Sequence, residues 1–311
     1  MKVTVGEAVE LIKEGNVVAF PTETVYGLGA DVYNVNAVKK SFDIKGRPSD
    51  NPLIVHISNL DQFKNLTDHL PKHALKLADH FWPGPLTLVL NKSKEVPDIV
   101  TGGLPTVAIR MPNHKMALDL INQTGPLTAP SANRSGKPSP TRPEHIISDY
   151  ADSLPYIDGG VSEVGLESTV LDLTGKPTIL RPGLITDKMI TDVLQEVVKS
   201  HEHQKNEPLK SPGTKYTHYK PLAAIHWLET MPPNPTPEHY YILNSENKIT
   251  STENIYSYEG DFRLLARNLY DHFRDADFKG CTDIFIENIP KNLSHPAASA
   301  LVNRINKAIG A

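Results

Sequence analysis

"DIKGRPSDNPLIVHI", residues 43–57, sets a short polar loop with two cations directly before an apolar run. Lys45, Arg47, Ser49, Asp50 and Asn51 fall within seven positions, with Gly46, Pro48 and Pro52 close by. "LIVHI" (53–57) reads as a buried strand entered from that loop. Side chains alternate faces along a strand, so Leu53, Val55 and Ile57 point one way and His56 shares the other face with Ile54. A helix over about 36–43 leads into the loop. Before it, "VVAF" (17–20) is a short strand ending at Pro21, followed by the hydroxyl- and glycine-rich loop "PTETVYGLGAD" (21–31).

Further out, Val5, Ala8, Val9, Leu11 and Ile12 have helical spacing, with Gly15 as the stop. Helices are expected near 72–82 and 115–122, and strands at "LTLVL" (86–90) and "TVAIRM" (106–111). "STVLDL" (168–173) and "TILR" (178–181) read as a late strand pair around the turn "TGKP". Few helices and many strands predict an α/β fold, a twisted mixed sheet with flanking helices. Residues 201–221 are polar and proline-bearing and read as a linker. Beyond them, "AAIHWL", "YYILN" and "DIFIEN" are strand-like, and 261–277 and the last segment are amphipathic helices. The expected division is a first domain over 1–205, a linker or lid over 206–221, and a smaller α/β domain over 222–311.

Bulk properties narrow the classes. At 311 residues and 39% hydrophobic, the chain has material for two packed domains. A net charge of −4 argues against broad, non-specific nucleic-acid binding. The single cysteine, Cys281, cannot form an intramolecular disulfide and has no second thiol for a metal site. The acidic N-terminal stretch and the lack of a long apolar run lead to an expectation of a cytoplasmic protein without membrane association.

In "TVAIR" (106–110), Thr106, Ala108 and Arg110 share one face, and the small Ala108 leaves room above it. "GPLTAPSANRSGKPSPT" (125–141) alternates Ser131, Asn133, Ser135, Ser139 and Thr141 with glycine and proline, a loop suited to phosphate or carboxylate oxygens. "GLESTV" (165–170) presents Ser168 and Thr169 at a strand start, and "ILRPG" (179–183) puts Arg181 at a strand end. Each has a plain alternative: a satisfied core His56, a snorkelling Arg110, a turn cap at Ser168, a surface charge at Arg181. Walker A, G-x-G-x-x-G, G-x-S-x-G and zinc spacings are absent from the sequence. Taken together, Lys45, Arg47, Arg110 and Arg181 at strand ends or faces suit a polyanion. No nucleophile or general base stands out, which points to catalysis by positioning and charge neutralisation, as in nucleotidyl transfer.

The motifs at 21–31, 45–57, 81–87 ("FWPGPLT"), 107–114 ("VAIRMPNH"), 128–141, 165–170 and 179–183 together resemble the YrdC/Sua5 family of threonylcarbamoyl-AMP synthases. "SPGTKYTHYKP" (211–221) is similar to the linker of the longer Sua5 form, which adds a C-terminal domain, here expected to be Rossmann-like. Thr217 and Lys220 depart from that family's usual linker pattern. The resemblance implies a reaction in which L-threonine, bicarbonate and ATP, carried with Mg²⁺, give threonylcarbamoyl-AMP and pyrophosphate. Other proteins then transfer the threonylcarbamoyl group to adenosine 37 of tRNA. It also implies roles. Lys45 and Arg47 are the catalytic cations and bind ATP with Asn51, Thr106, Ser131, Asn133, Ser139, Arg181 and Tyr219. Thr24, His56, Arg110 and Ser168 hold threonine, and no resident metal is expected. The 211–221 segment is expected to fold over the nucleotide with Tyr219 closest to it. The alternative in another class is an RNA-binding module using a concave basic face, with direct tRNA contact left open.

Overall fold

Ile54–His56 is the strand expected after the polar loop, and it lies inside an eleven-stranded mixed sheet. The structure is a computed structural model that describes residues 1–200, 219–245, 253–290, 293 and 295–310. The sheet runs Lys2–Val3, Tyr156–Ile157, Val18–Phe20, Gly27–Asp31, Leu127–Thr128, Ile54–His56, Thr106–Arg110, Leu86–Asn91, Thr169–Asp172, Thr178–Arg181, Lys199–Ser200. Ile54–His56 and Thr106–Arg110 are parallel, with Ile54 opposite Ala108 and His56 opposite Arg110. Thr169–Asp172 and Thr178–Arg181 are antiparallel around the expected turn.

Alternation along these strands divides the core. Leu53, Val55, Ile57, Val107 and Ile109 join the main cluster on one face. Ile54, Ala108, Val89, Val170 and Leu180 form a small apolar floor on the other. His56 and Arg110 rise from that second face, so the sheet delivers them as neighbours.

Helices are more numerous than expected. Leu60–Leu66, Asp98–Thr101, Pro143–Tyr150 and Asp187–Leu194 add to those read from periodicity. Each is 8 residues or fewer, barely two turns, so it shows little periodicity. The first helix, Val5–Lys13, starts with a Thr4–Glu7 capping box. Val35–Lys45 ends two residues later than expected, stopped by Gly46 in the left-handed region at φ 62.

A second sheet, all parallel, runs Ala224–Leu228, Asp283–Glu287, His239–Leu243, Ile255–Ser257. Helices Phe262–Phe278 and Ala298–Ile309 supply about half of its core, which Val25 and Leu166 of the first part also join. Of the expected lid over 206–221, residues 206–218 lie outside the described residues, and Tyr219–Pro221 lie within them. Polar contacts join the two parts. Arg274 grips Asp149 at 2.8 and 3.2 Å, and Arg142 and His145 meet Asp271 at 2.6 and 3.1 Å. Gly165 packs so closely on the helix backbone that a Cβ there would meet the Arg267 carbonyl oxygen at 2.3 Å. Among the described residues, no helix is long and apolar enough to cross a membrane.

Candidate active site

The apolar floor and the loops above it enclose a pocket of about 630 Å³, open mouth included. Eight of the residues singled out in the sequence line it: Thr24, Arg47, His56, Arg110, Ser131, Ser168, Arg181 and Tyr219. Thr22, Gly27, Ile54, Ala129, Pro130 and Glu167 are also on its wall.

One side is built around Arg110. Its Nε donates to the Gly84 carbonyl at 3.2 Å and its Nη1 to Thr24 Oγ1 at 2.7 Å, while Nη2 lies 2.6 Å from Glu23 Oε2. Thr24 is itself fixed by Thr22 at 2.8 Å. Beside them, His56 is buried with its Nδ1 lacking a hydrogen-bond partner. Burial, with the Arg110 charge next to it, pushes the imidazole down to about 3, so the ring is neutral.

This has a consequence for acid stability. In the unfolded chain the ring titrates near 6.5, so the unfolded state takes up a proton first as pH falls. Stability is complete above that pH and declines toward pH 3, with a loss of about 2 kcal/mol by pH 5. His56→Gln removes this component. Urea midpoints of both proteins at pH 7 and pH 5 check it, and equal acid sensitivity in the two would sink the assignment.

The opposite side is built around Arg181, which donates through Nε and Nη2 to the Ser168 carbonyl at 3.1 and 2.9 Å and to its hydroxyl at 3.2 Å. Ser168 Oγ also meets Thr87 Oγ1 at 2.7 Å. Arg47 sits at the rim and donates to the Pro52 carbonyl at 3.0 Å. Tyr219, with φ 67, is buried against Tyr270, ring centroids 5.1 Å apart.

Five of the expected site residues do not line the pocket. Lys45 is buried, and its Nζ donates to the carbonyls of Ser131 and Asn133. Burial, then the neighbouring Arg47 charge, pushes its ammonium well below the ordinary lysine range. Asn133 ties its own loop through the Arg134 and Lys137 carbonyls at 2.8 and 2.9 Å. Ser139 donates to Glu167 Oε1 at 2.7 Å. Asn51 is buried under the loop, and its carbonyl accepts from Arg47 at 3.4 Å. Thr106 begins its strand opposite Asn91. Sequence reasoning passed over Glu23 and Glu167, although each is an acid set among hydroxyls, glycines and apolar residues.

The pocket thus has arginines on two sides, a neutral imidazole, hydroxyls and an apolar floor. It can hold an anionic substrate of mixed polarity without supplying a nucleophile of its own. Residues 10–183 match the sequence profile of the Sua5/YciO/YrdC family, described as telomere recombination. Residues 185–310 match the Sua5 C-terminal profile, described as threonylcarbamoyl-AMP synthase, C-terminal domain. The chain belongs to this family. A threonylcarbamoyl-AMP synthase of Pyrococcus abyssi is 43% identical over 97% of this chain and 93% of its own length. One from Bacillus subtilis is 42% identical over 98% and 93%. The crystal structure of P. abyssi Sua5 complexed with L-threonine superposes with a TM-score of 0.89 at 39% identity, covering 100% of this chain and 96% of that one.

Proposed function

We infer that the chain is a threonylcarbamoyl-AMP synthase, a nucleotidyltransferase acting on L-threonine, bicarbonate and ATP. The observation that carries this is the registered His56–Arg110 pair facing Ser168 and Arg181 across a pocket with an apolar floor. A relative of nearly the same fold has been crystallised with L-threonine. Threonine lies on the Arg110 side and reaches across the pocket to Ser168. The remaining N–H groups of the guanidinium meet its carboxylate, the Nδ1 of His56 and the hydroxyls of Thr24 and Ser168 serve its polar atoms, and Ile54 and Ala129 face its methyl.

The threonine amine combines with bicarbonate, releasing water, to give a carbamate. A carbamate oxygen then attacks the α-phosphorus of ATP, the P–O bond to the β-phosphate breaks, and pyrophosphate leaves. Arg47 and Arg181 neutralise charge that grows on the phosphates during transfer. Lys45, Asn133 and Ser139 act one step back, by holding the Ser131–Ser139 loop in shape. Mg²⁺ arrives with the triphosphate. The acids nearest the pocket are already engaged, Glu23 by Arg110 and Glu167 by Arg304, and fit a resident metal poorly. The product is a mixed anhydride suited to transfer onto tRNA by a separate protein.

The test is direct. The chain incubated with ATP, L-threonine and bicarbonate is expected to release pyrophosphate and form threonylcarbamoyl-AMP, read by mass spectrometry. Omission of any one substrate is expected to abolish the product. In the same assay Arg47→Ala is expected to weaken the ATP response about 10- to 150-fold, the loss of one or more charged hydrogen bonds. Unchanged ATP kinetics in a folded Arg47→Ala protein removes that residue from the phosphate site.

A further inference from the structure

Glu167, on the pocket wall, is held from the second domain. Its Oε2 accepts from Arg304 Nε at 2.8 Å and from the Tyr270 hydroxyl at 2.9 Å, while Oε1 accepts from Ser139. The rest of the Arg304 fork reaches the carbonyls of Glu167 at 3.2 Å and Pro182 at 2.9 Å. Arg304 is wholly buried, on the apolar stripe that Leu301, Ile305 and Ala308 form on the helix Ala298–Ile309. An aliphatic side chain would pack there without the desolvation that a guanidinium costs.

What the pair touches suggests why a charge sits there. Tyr219 stacks on Tyr270 and has the Arg304 guanidinium 5.8 Å from its ring. Ser139 is bonded to Glu167, and Arg181 is bonded to the neighbouring Ser168. Ser139, Arg181 and Tyr219 all belong to the nucleotide side of the proposed reaction. On the threonine side, Thr24 and Arg110 are fixed by Thr22, Glu23 and Gly84, within the first domain, and of the threonine-side residues named above Ser168 is the one that adjoins the clamp, through Arg181.

We propose that Arg304 is a positioning residue through which the second domain shapes the nucleotide half of the pocket, by clamping Glu167 and with it Ser139, Arg181 and Tyr219. The proposal rests on the reading of this pocket as an ATP site. Burial alone would raise the Glu167 carboxyl, but the Arg304 and Arg181 charges hold it down at about 2, so the clamp stays ionised at any pH where the protein works. Another interdomain acid, Asp271, meets only Arg142 and His145 among the contacts described, and none of these three lines the pocket. It is therefore the control for domain docking as such.

The experiment uses the full chain. ATP binding is measured by calorimetry without threonine, KM for ATP and for threonine by pyrophosphate release, and folding by thermal melting. Arg304→Gln is expected to raise the ATP constants about tenfold or more, with the KM for threonine within about threefold of the unsubstituted protein. Asp271→Asn is expected to lower the melting temperature and leave ATP binding unchanged. Should Arg304→Gln not fold, two further variants carry the test. Arg304→Lys keeps the charge, but one ammonium cannot span Glu167 Oε2 and the carbonyls of Glu167 and Pro182 together. Glu167→Gln combined with Arg304→Gln leaves no buried charge unpaired. Both are expected to fold and to show the same ATP-selective loss.

Unchanged ATP affinity in a folded Arg304 variant, equal losses for ATP and threonine, or the same ATP loss in Asp271→Asn each overturns the proposal. If the unsubstituted chain binds ATP but makes no threonylcarbamoyl-AMP, the functional reading fails, while the calorimetric comparison still decides the role of Arg304.

Discussion

Arg110→Leu is expected to lower stability by about 3–5 kcal/mol and to abolish the response to threonine. The stability loss follows from Glu23, whose buried carboxylate lies 2.6 Å from the guanidinium and would be left without its counter-charge. The Thr24 hydroxyl and the Gly84 carbonyl lose their donors as well. The functional loss follows from the remaining N–H groups, which in the proposed reaction meet the threonine carboxylate. The two effects separate in the double variant Glu23→Gln/Arg110→Leu. With no buried charge remaining, it is expected to recover most of the stability and none of the threonine response. Chemical denaturation and pyrophosphate release against threonine concentration check both statements. An ATP defect with a normal threonine response would move Arg110 to the phosphate side.

Lys45→Ala is expected to weaken ATP binding at least tenfold and to destabilise the fold by about 2–4 kcal/mol, through the loop and not through a lost phosphate contact. The lysine ammonium is the donor to the Ser131 and Asn133 carbonyls, and its own carbonyl accepts from the Ser135 N–H at 2.8 Å. Without the side chain, two inward-facing carbonyls lose their partner and the 131–137 turn loses its anchor. Hydrogen exchange in the ligand-free protein is expected to quicken across 131–137. Unchanged exchange there, combined with lost ATP binding, would mean that the amine leaves its carbonyls and works on the phosphates.

The difference between Lys45 and Arg47 shows where the sequence stops being legible. Alternation within "LIVHI" and "TVAIR" is local, so the faces of His56 and Arg110 can be read directly. Their adjacency depends on parallel register between separate strands and cannot be. Lys45 read as a loop residue because the helix was expected to end near residue 43. The helix runs on to Lys45, which places that side chain one turn beyond the buried Ser41 and Phe42. Gly46 then reverses the chain, and Arg47 reaches the pocket rim. The expected phosphate clamp therefore divides into one residue on the wall and one behind it.

Glu23 and Glu167 were hidden for a different reason. A site suited to anions gives no local cause to include a carboxylate, and the need appears only once Arg110 and Arg304 are buried beside them. Arg304 does carry a signal, as a lone charge on an apolar helical stripe, but nothing in the sequence names its partner 137 positions away. The second domain's strands and helices were legible from pattern, apart from the short Ile255–Ser257.

That separation has a consequence for how the protein is made. A ribosome adding roughly 5–20 residues each second takes on the order of ten seconds to pass from Glu167 to Arg304. Through that interval the nascent first domain carries a carboxylate shaped for burial with no guanidinium to receive it. The neighbouring Gly165 awaits a helix that does not yet exist. The emerging chain can assemble the Arg110 part of the threonine side early, because Glu23, Thr24, Gly84 and Arg110 all lie at or before residue 110. With Arg304 in the role proposed for it, the nucleotide side is completed last, by the helix that carries this residue, and capture of ATP by a half-made chain is disfavoured until translation has delivered both domains.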